Sequence, residues 1–400
     1  MNYFSANIKN KKIILALGAE SAGNFSVYKN GKIYFSEDFG DLLVGANFNK
    51  FKNELNKFFK KENIKPDIIL TDLHPLYRTT LLGEELAKKY KAKHVKVQHH
   101  IAHIFSAVGE KMVNGQWLII NGFHGIAMDG TGYGLDGKIW GGEVFKISNF
   151  QFPISKQNSK FKILIERIGH LEDQVMIGGD LAVKEPARML IAILAKIPNS
   201  KFQIPNKSKI QNPKSQKDFI FQHIEKYYTR NEFELLYNQL QLNFNCVETS
   251  STGRVLDAVS VLLGFAGNKR NYKHEAAELL EKNSTKPYAL PPLIKGGRGV
   301  FELRTTPLFE YLIKNNPPTG GKDKRRLAAT AQMYIAQGLY EIVLKTNEAK
   351  KLKIIFLAGG IANNKIISSY LESKGVIAAR QVPRGDAGLS LGQIIYFLSK

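Results

Sequence analysis

The sequence predicts an α/β chain built as two related lobes. Three observations predict it. Strand-like and helix-like runs alternate through the first hundred residues in the order β, ββ, α, β, α, β, α. A second series with the same opening begins near residue 116. With 400 residues and 44% hydrophobic content, the chain is long enough for two packed cores.

Each element has its own signal. KIILALGAE (12–20) is a β-type run that ends in Gly18. NFSVYKNGKIYFSED (24–38) is a hairpin with Asn30 and Gly31 as its turn. In residues 48–63, Phe48, Phe51, Leu55, Phe58 and Phe59 recur at three- and four-residue spacing, which predicts an amphipathic helix. PDIILTD (66–72) reads as a buried strand, TTLLGEELAKKY (79–90) as a helix, KHVKVQ (93–98) as a strand and HHIAHIFSAVGEKM (99–112) as a helix. The second series, QWLIINGFHGIAMDGTGYGLDGKIWGGEVFKI (116–147), reads as strand, glycine-rich turn, strand, strand. Helices and connections fill 160–290, with a basic insertion near 196–220. Long helices follow at 325–348, then the strand KIIFLAGG (353–360), the helix NNKIISSYLESKG (363–375) and a last helix over 387–400. The expected lobes are 1–115, with 387–400 packing on it, and 116–386. Such a duplication is the plan of the actin-like, sugar-kinase-like nucleotide-binding fold, whose lobes clasp a nucleotide in the cleft between them.

Lys+Arg number 57 and Asp+Glu 35, a formal net charge of +22. That balance suits nucleic acid, an anionic membrane or an acidic protein partner. The lysines, however, sit mostly in polar stretches such as residues 199–218, as a solvated basic surface would. The single cysteine, Cys246, excludes a disulfide framework and any CxxC zinc site within this chain, and fits a reducing cytoplasm. No apolar run approaches the ~20 residues of a spanning helix, and the first twenty residues hold no signal-peptide core. A cytoplasmic protein without a membrane partner is expected.

Four motifs carry chemistry. In VQHHIAH, His99 and His103 stand four residues apart, so on a helix both imidazoles leave one face, the spacing that two ligands of one metal need. A third ligand comes from Asp386, in the turn of VPRGDAGLSLGQ before the final helix. A two-histidine, one-carboxylate set with open positions suits Fe(II), and Zn(II) would also bind. The second motif is MDGTGYGLDG (128–137). Its Gly130, Gly132, Gly134 and Gly137 let backbone N–H groups approach an anion, and Asp129 can orient a metal or its bound water. The third, LAGGIANN, sets Gly359 and Gly360 before a helix start that suits an anion or ribose phosphate. The fourth, MIGGDLAVKEPARM, offers Gly178 and Gly179 for close approach and Asp180 for a ribose hydroxyl, with Lys184, Glu185 and Arg188 nearby.

Together these residues resemble the C-terminal, nucleotide-binding part of HypF-type carbamoyltransferases, the [NiFe]-hydrogenase maturation enzymes. The matching stretches run nearly end to end: ILALGAE with Asn24, DLHPLYRTT, VQHHIAH, DGTGYGLDGKIWGGE, GGDLAVKEPARM, TSSTGRVLDAV, LAGGIANN and GDAGLSLGQ. A related fold looks shared with tRNA threonylcarbamoyl transferases and antibiotic O-carbamoyltransferases. The resemblance implies the duplicated actin-like fold and a divalent metal, Fe(II) ahead of Zn(II), held by His99, His103 and Asp386 with Asp129. It implies a carbamoyl-adenylate, and ATP as its parent nucleotide, between the lobes. Nucleotide contacts would fall on Gly130, Thr131, Gly132, Gly178, Gly179, Asp180, Gly359, Gly360 and Asn364. Two departures stand out: Ile101 occupies the place of a frequent fourth histidine, and His274, in YKHEAAELLE, replaces a small residue near the cleft.

The expected activity is metal-dependent transfer of a carbamoyl group from carbamoyl-adenylate, with Asp129, His99, His103 and Asp386 at the reacting centre. The resemblance makes the acceptor the C-terminal cysteine thiolate of a HypE-like protein. It also implies that the acylphosphatase-like and YrdC-like domains, which make the adenylate and are not visible in this sequence, act from a separate chain. The alternatives are O-carbamoylation of a small molecule, a threonylcarbamoyl transferase-like enzyme on tRNA, and a non-catalytic nucleotide-binding scaffold; a nucleic-acid partner is not expected.

Overall fold

The computed structural model describes all residues except 1, 6–9, 114–121, 149–162, 199–214, 294, 297–298, 318–320 and 347–353. Most of the basic insertion and the start of the second series at 116–121 therefore lie outside the described residues. Asn30 and Gly31 both adopt positive φ, 50° and 77°, so the Asn-Gly turn closes the hairpin Ser26–Lys29/Lys32–Phe35 in the mirror-image geometry that matches strand twist. That hairpin lies within a six-stranded sheet ordered Asn2–Ser5, Lys32–Phe35, Ser26–Lys29, Ile14–Ala16, Ile68–Asp72, Lys93–Val97. Ile14–Ala16 runs antiparallel to the hairpin and parallel to Ile68–Asp72, which is parallel to Lys93–Val97.

The second sheet repeats this order. Its strands Leu164–Leu171, Ile139–Ser148 and Gly122–Tyr133 pair antiparallel, and Ile355–Ala358 and then Ile377–Ala378 add in parallel on the other side. The duplication expected from the two sequence series is thus a repeat of strand order. The edge strands Lys295–Gly296 and Phe301–Leu303 extend this sheet. The stretch 160–290, read from sequence as helices and connections, also contains Leu164–Leu171, Gln174–Ile177 and Cys246–Thr249. These strands were missed because two are only four residues long, and the periodicity of LIERIGHL is masked by its half-buried face. The strand Asn2–Ser5 was missed as well.

Two helices lie between the sheets and bind them into one core. His99–Val113 supplies Ile101, Ile104, Phe105 and Val108, and the last helix, Leu389–Leu398, supplies Leu391, Ile394 and Ile395. They pack with Ile14, Ile68 and Leu70 of the first sheet and Phe123, Ala127 and Phe356 of the second. Each such buried Ile, Leu, Val or Phe side chain contributes about 1.5–3 kcal/mol. The two helices cross backbone to backbone: a Cβ on Gly392 would lie 1.8 Å from the Ala102 carbonyl oxygen. Gln393 on the last helix accepts from the Gly18 N–H at 3.1 Å, and Ser390 shares a 2.7 Å hydrogen bond with Ser26. On the outer face of the first sheet, Gly45–Lys61 buries Phe51, Leu55 and Phe59, and Arg78–Tyr90 buries Leu82 and Leu86. Among the described residues, no helix is long and apolar enough to cross a membrane.

Candidate metal and nucleotide site

The helix His99–Val113 begins directly after the strand Lys93–Val97, so its first turn opens at the carboxyl end of a parallel sheet. Gln98 starts it: its carbonyl accepts from Ala102 N–H at 3.0 Å and its side-chain oxygen from Ile101 N–H at 3.0 Å. The Gln98 amide donates to the Tyr133 carbonyl at 3.1 Å, which ties the helix start to the second sheet. From this turn His99 and His103, both buried, point the same way, with their Nε2 atoms 3.1 Å apart.

Two carboxylates meet them. Asp129 Oδ2 lies 3.1 Å from His99 Nε2 and 3.5 Å from His103 Nε2; Asp386 Oδ1 lies 3.5 and 3.3 Å from the same atoms. One ligand atom from each of the four falls within 4.8 Å of all the others. The donor set, two imidazole nitrogens and two carboxylates, fits a divalent transition ion.

The carboxylates are placed by different means. Met128 pairs with Gly142 and Gly132 with Trp140, so Asp129, Gly130 and Thr131 stand opposite Gly141 alone. The DGTG segment is therefore a bulge inside the strand Gly122–Tyr133, not the turn read from sequence; the turn comes later, where the Gly134 N–H reaches the Lys138 carbonyl and Gly137 takes φ 79°. A bulge re-aims a side chain out of the pleat, and here that side chain is Asp129. Its other oxygen accepts from the Gly360 N–H at 3.2 Å, which brings LAGG to the cluster. Gly359, at φ 96°, could carry no Cβ, which would sit 2.2 Å from the Met128 carbonyl oxygen. Asp386 opens the short 3₁₀ turn Asp386–Gly388 and accepts from the Ser21 hydroxyl. The loop before it is held from beneath by Glu110, whose carboxylate accepts from the backbone N–H groups of Arg380, Gln381 and Val382 at 2.7–2.9 Å.

His99 Nδ1 is 2.7 Å from Asp72 Oδ2, a wholly buried carboxylate at the end of the strand Ile68–Asp72. In the neutral imidazole, a carboxylate on Nδ1 leaves Nε2 as the lone-pair nitrogen facing Asp129 and Asp386. Burial opposes charge on His99, yet Asp72, then Asp129 and Asp386, outweigh it and hold its pKa well above the ordinary histidine value. His103 is raised too: burial acts against charge there, and Asp129 and Asp386 overcome it. Asp386 is held well below the carboxylate range: burial acts upward, but the two histidines overcome it. His100 points elsewhere; burial, then His99, keep it well below the usual value and neutral.

The sequence-predicted nucleotide residues divide into three groups. Gly130 and Thr131 lie in the bulge and Gly132 closes it, where a Cβ on Gly132 would strike the rings of His99 and His100. Gly359 and Gly360 adjoin Asp129. Gly178 and Gly179, both at positive φ, make a separate corner against Asn245. There Asp180 is exposed and near enough to His74 to raise its pKa, although burial leaves that histidine below its usual value. Asn364 is committed to structure: its oxygen caps the helix Lys365–Ser373 through Ile366 and Ile367, and its amide donates to Gln332 at 2.7 Å. Asp72, Ser21 and Glu110 were not singled out from sequence. The signal for Asp72 was available, as an aspartate closing a buried strand just before the His-Pro pair.

A two-lobed nucleotide-cleft fold with a His–Asp cluster at the carboxyl ends of its strands defines the class. Residues 9–110 match the family model of the HypF Kae1-like domain, and residues 125–393 match that of the carbamoyltransferase Kae1-like domain, second subdomain. The chain belongs to this family of Kae1-like carbamoyltransferase domains. It is 35% identical to the probable carbamoyltransferase HypF of Methanocaldococcus jannaschii, over 98% of this chain but 47% of that protein. It is 27% identical to a carbamoyltransferase HypF homolog of Cupriavidus necator, over 95% of this chain and 90% of that one. With the latter excepted, the chain spans about half the length of the curated relatives it matches. The crystal structure of T. kodakarensis HypF superposes with a TM-score of 0.78 at 29% identity, covering 99% of this chain and 48% of that one. A full-length HypF in phosphate- and nucleotide-bound form shares the fold with a TM-score of 0.81 at 22% identity, covering 99% of this chain and 57% of that one.

Proposed function

We propose that this chain transfers a carbamoyl group from carbamoyl-adenylate to a nucleophilic acceptor, with a divalent metal held by His99, His103, Asp129 and Asp386. The observation that carries the reading is the convergence of these four side chains, in a member of this family, beside a glycine bulge. The bound ion, Fe(II) ahead of Zn(II), would supply Lewis acidity toward the mixed anhydride and its departing phosphate. The chain's own residues do the positioning. Asp72 orients His99; Ser21 and Glu110 hold the Asp386 loop; Gly130, Thr131 and Gly132, with Gly359 and Gly360, offer backbone beside the cluster. The adenosine would lie toward Gly178, Gly179 and Asp180.

In the step itself the acceptor attacks the carbamoyl carbon. A bond from that carbon to the acceptor forms, its bond to the phosphate oxygen breaks, and AMP leaves with the electron pair. The acceptor is the C-terminal cysteine thiolate of a HypE-like protein, and the donor is made by a YrdC-like unit. Cys246 is no rival as nucleophile: burial pushes its thiol up, and it donates to the Gln239 and Phe244 carbonyls. Catalysis then rests on placement and electrostatics.

The test is to supply preformed carbamoyl-adenylate with a HypE-like acceptor and follow acceptor mass and AMP release. Carbamoylated acceptor that appears with wild-type protein and not with His99→Ala/His103→Ala supports the reading. AMP release without acceptor modification, or equal transfer by the double variant, defeats it.

A further inference from the structure

The helix Thr252–Leu263 begins against the back of the Asp129–Gly130 bulge. The Ser251 hydroxyl, which caps this helix through Arg254 N–H, also donates to the Gly130 carbonyl, and a Cβ on Gly253 would sit 2.9 Å from Gly130 Cα. One turn in, Arg254 is only 5% exposed. Its Nη2 pairs with Asp257 Oδ2 at 2.9 Å. Arg270, whose side chain is 6% exposed, pairs with that same oxygen. An Arg–Asp pair three residues apart on a helix would be complete as a structural contact. Here two guanidinium groups share one carboxylate, which leaves a net positive charge inside the protein.

That charge is under-satisfied. Arg254 Nε and Nη1 and Arg270 Nε have no hydrogen-bond partner among the described protein atoms. Buried charged donors left unpaired are costly. Burial pulls Arg270 down to about 10, with Arg254 adding to the fall against the attraction of Asp257. The guanidinium borders the site: Arg254 Nη2, the atom that pairs with Asp257, lies 3.8 Å from where a Cβ on Gly130 would stand, so the missing side chain leaves only glycine backbone between the arginine and the bulge. Asp129, with the metal-type cluster, lies one residue away along the same strand. Unpaired guanidinium donors beside a helix N-terminus and a glycine bulge match the oxygens of a phosphoryl group.

We propose that Arg254, backed by Asp257 and Arg270, is the anion-binding group of this site and takes the phosphoryl oxygens of the donor nucleotide alongside the His99–Asp129 cluster. This rests on the nucleotide reading above and adds residues that reading does not contain. The role sets specificity: the site selects a nucleotide over its nucleoside, because an uncharged ligand would leave the arginine pair unanswered.

The experiment uses the whole chain and three probes: AMP and adenosine by calorimetry, and inorganic phosphate by ³¹P line broadening. Wild-type protein is expected to bind AMP about 10- to 100-fold more tightly than adenosine, the range for a charge-assisted pair of bonds. Arg254→Met is expected to erase that gap while leaving adenosine affinity within about twofold, and Arg254→Lys, which keeps the charge and loses the planar fork, to fall between. If Arg254→Met does not fold, as judged by its melting curve, the wild-type comparison and Arg254→Lys decide. Equal AMP and adenosine affinities in wild type, or an unchanged gap in either folded variant, overturn the proposal while nucleotide binding stands. If neither AMP nor adenosine binds but phosphate broadens in wild type and less in Arg254→Lys, the nucleotide reading falls and the anion site stands. Phosphate that binds neither protein, with no nucleotide bound, overturns both.

Discussion

Replacing Asp72 by asparagine separates two effects that one carboxylate exerts on His99. The side chain is wholly buried, and its 2.7 Å contact with Nδ1 does not involve the atoms that face Asp129 and Asp386. Asparagine keeps the shape and one acceptor but removes the charge. With His99 as the proposed metal ligand, the loss should weaken binding by about 10- to 100-fold, the effect of such outer partners, or about 1.4–2.7 kcal/mol. It also acts in the opposite direction. Asp72 is the largest of the attractions that hold the His99 pKa above its ordinary value, so without it the proton that competes with the metal leaves more easily. The sign is therefore pH-dependent. At low pH, wild type carries the heavier proton penalty and the gap between the proteins narrows; at high pH, where both are deprotonated, the full loss appears. We expect the ratio of wild-type to Asp72→Asn affinity for Zn(II), measured by competition with a chromophoric chelator, to grow steadily from about pH 6 to pH 8.5, around the histidine range. A ratio that stays flat at one, or one that shrinks as pH rises, would refute the role given to Asp72.

Other substitutions probe the frame around the cluster. The wild-type chain is expected to retain about one divalent ion, and His99→Ala/His103→Ala none, by elemental analysis. Gly392→Ala puts a methyl group 1.8 Å from the Ala102 carbonyl oxygen and should destabilise by about 1–3 kcal/mol or more in urea unfolding, by forcing the two central helices apart. Glu110→Ala strips the acceptor from three backbone N–H groups before Asp386, so metal affinity should drop together with stability, whereas a loss of stability alone would limit Glu110 to holding the fold. Asn364→Ala should cost about 1 kcal/mol of stability as a lost helix cap.

Much of this was readable from the chain. The i, i+4 pair in VQHHIAH gives both histidines one face because three- and four-residue spacing is a property of any helix, and Asp386 could be found as an aspartate poised before a final helix. The Asn30–Gly31 hairpin followed from turn chemistry alone. What could not be read was pairing. That DGTG is a bulge depends on Trp140 and Gly142 of the neighbouring strand, and no local pattern reports a partner's register. The short strands Gln174–Ile177 and Cys246–Thr249 owe their form to each other. Nothing in the sequence around Glu110 marks it; only the return of residues 380–382 over it makes it a buried acceptor. Asn364 went the other way, as a residue with a ligand's appearance whose polar atoms answer to its own helix and Gln332.

The helix sandwiched between the sheets has a consequence in time. One member of the central pair carries His99 near the start of the chain, and its mate follows Asp386 almost at the end. During synthesis the first sheet and its outer helices can form early, yet the cluster of His99, His103, Asp129 and Asp386 is incomplete until the final residues arrive and Gly392 seats on Ala102. Closure across so long a separation is slow compared with local helix formation. A nascent or C-terminally clipped chain would therefore hold the two imidazoles and Asp129 without Asp386, and a weaker grip on an ion. Retained metal would then serve as a stamp of completion, and an ion that binds only the finished form would pull the last helix into place by mass action.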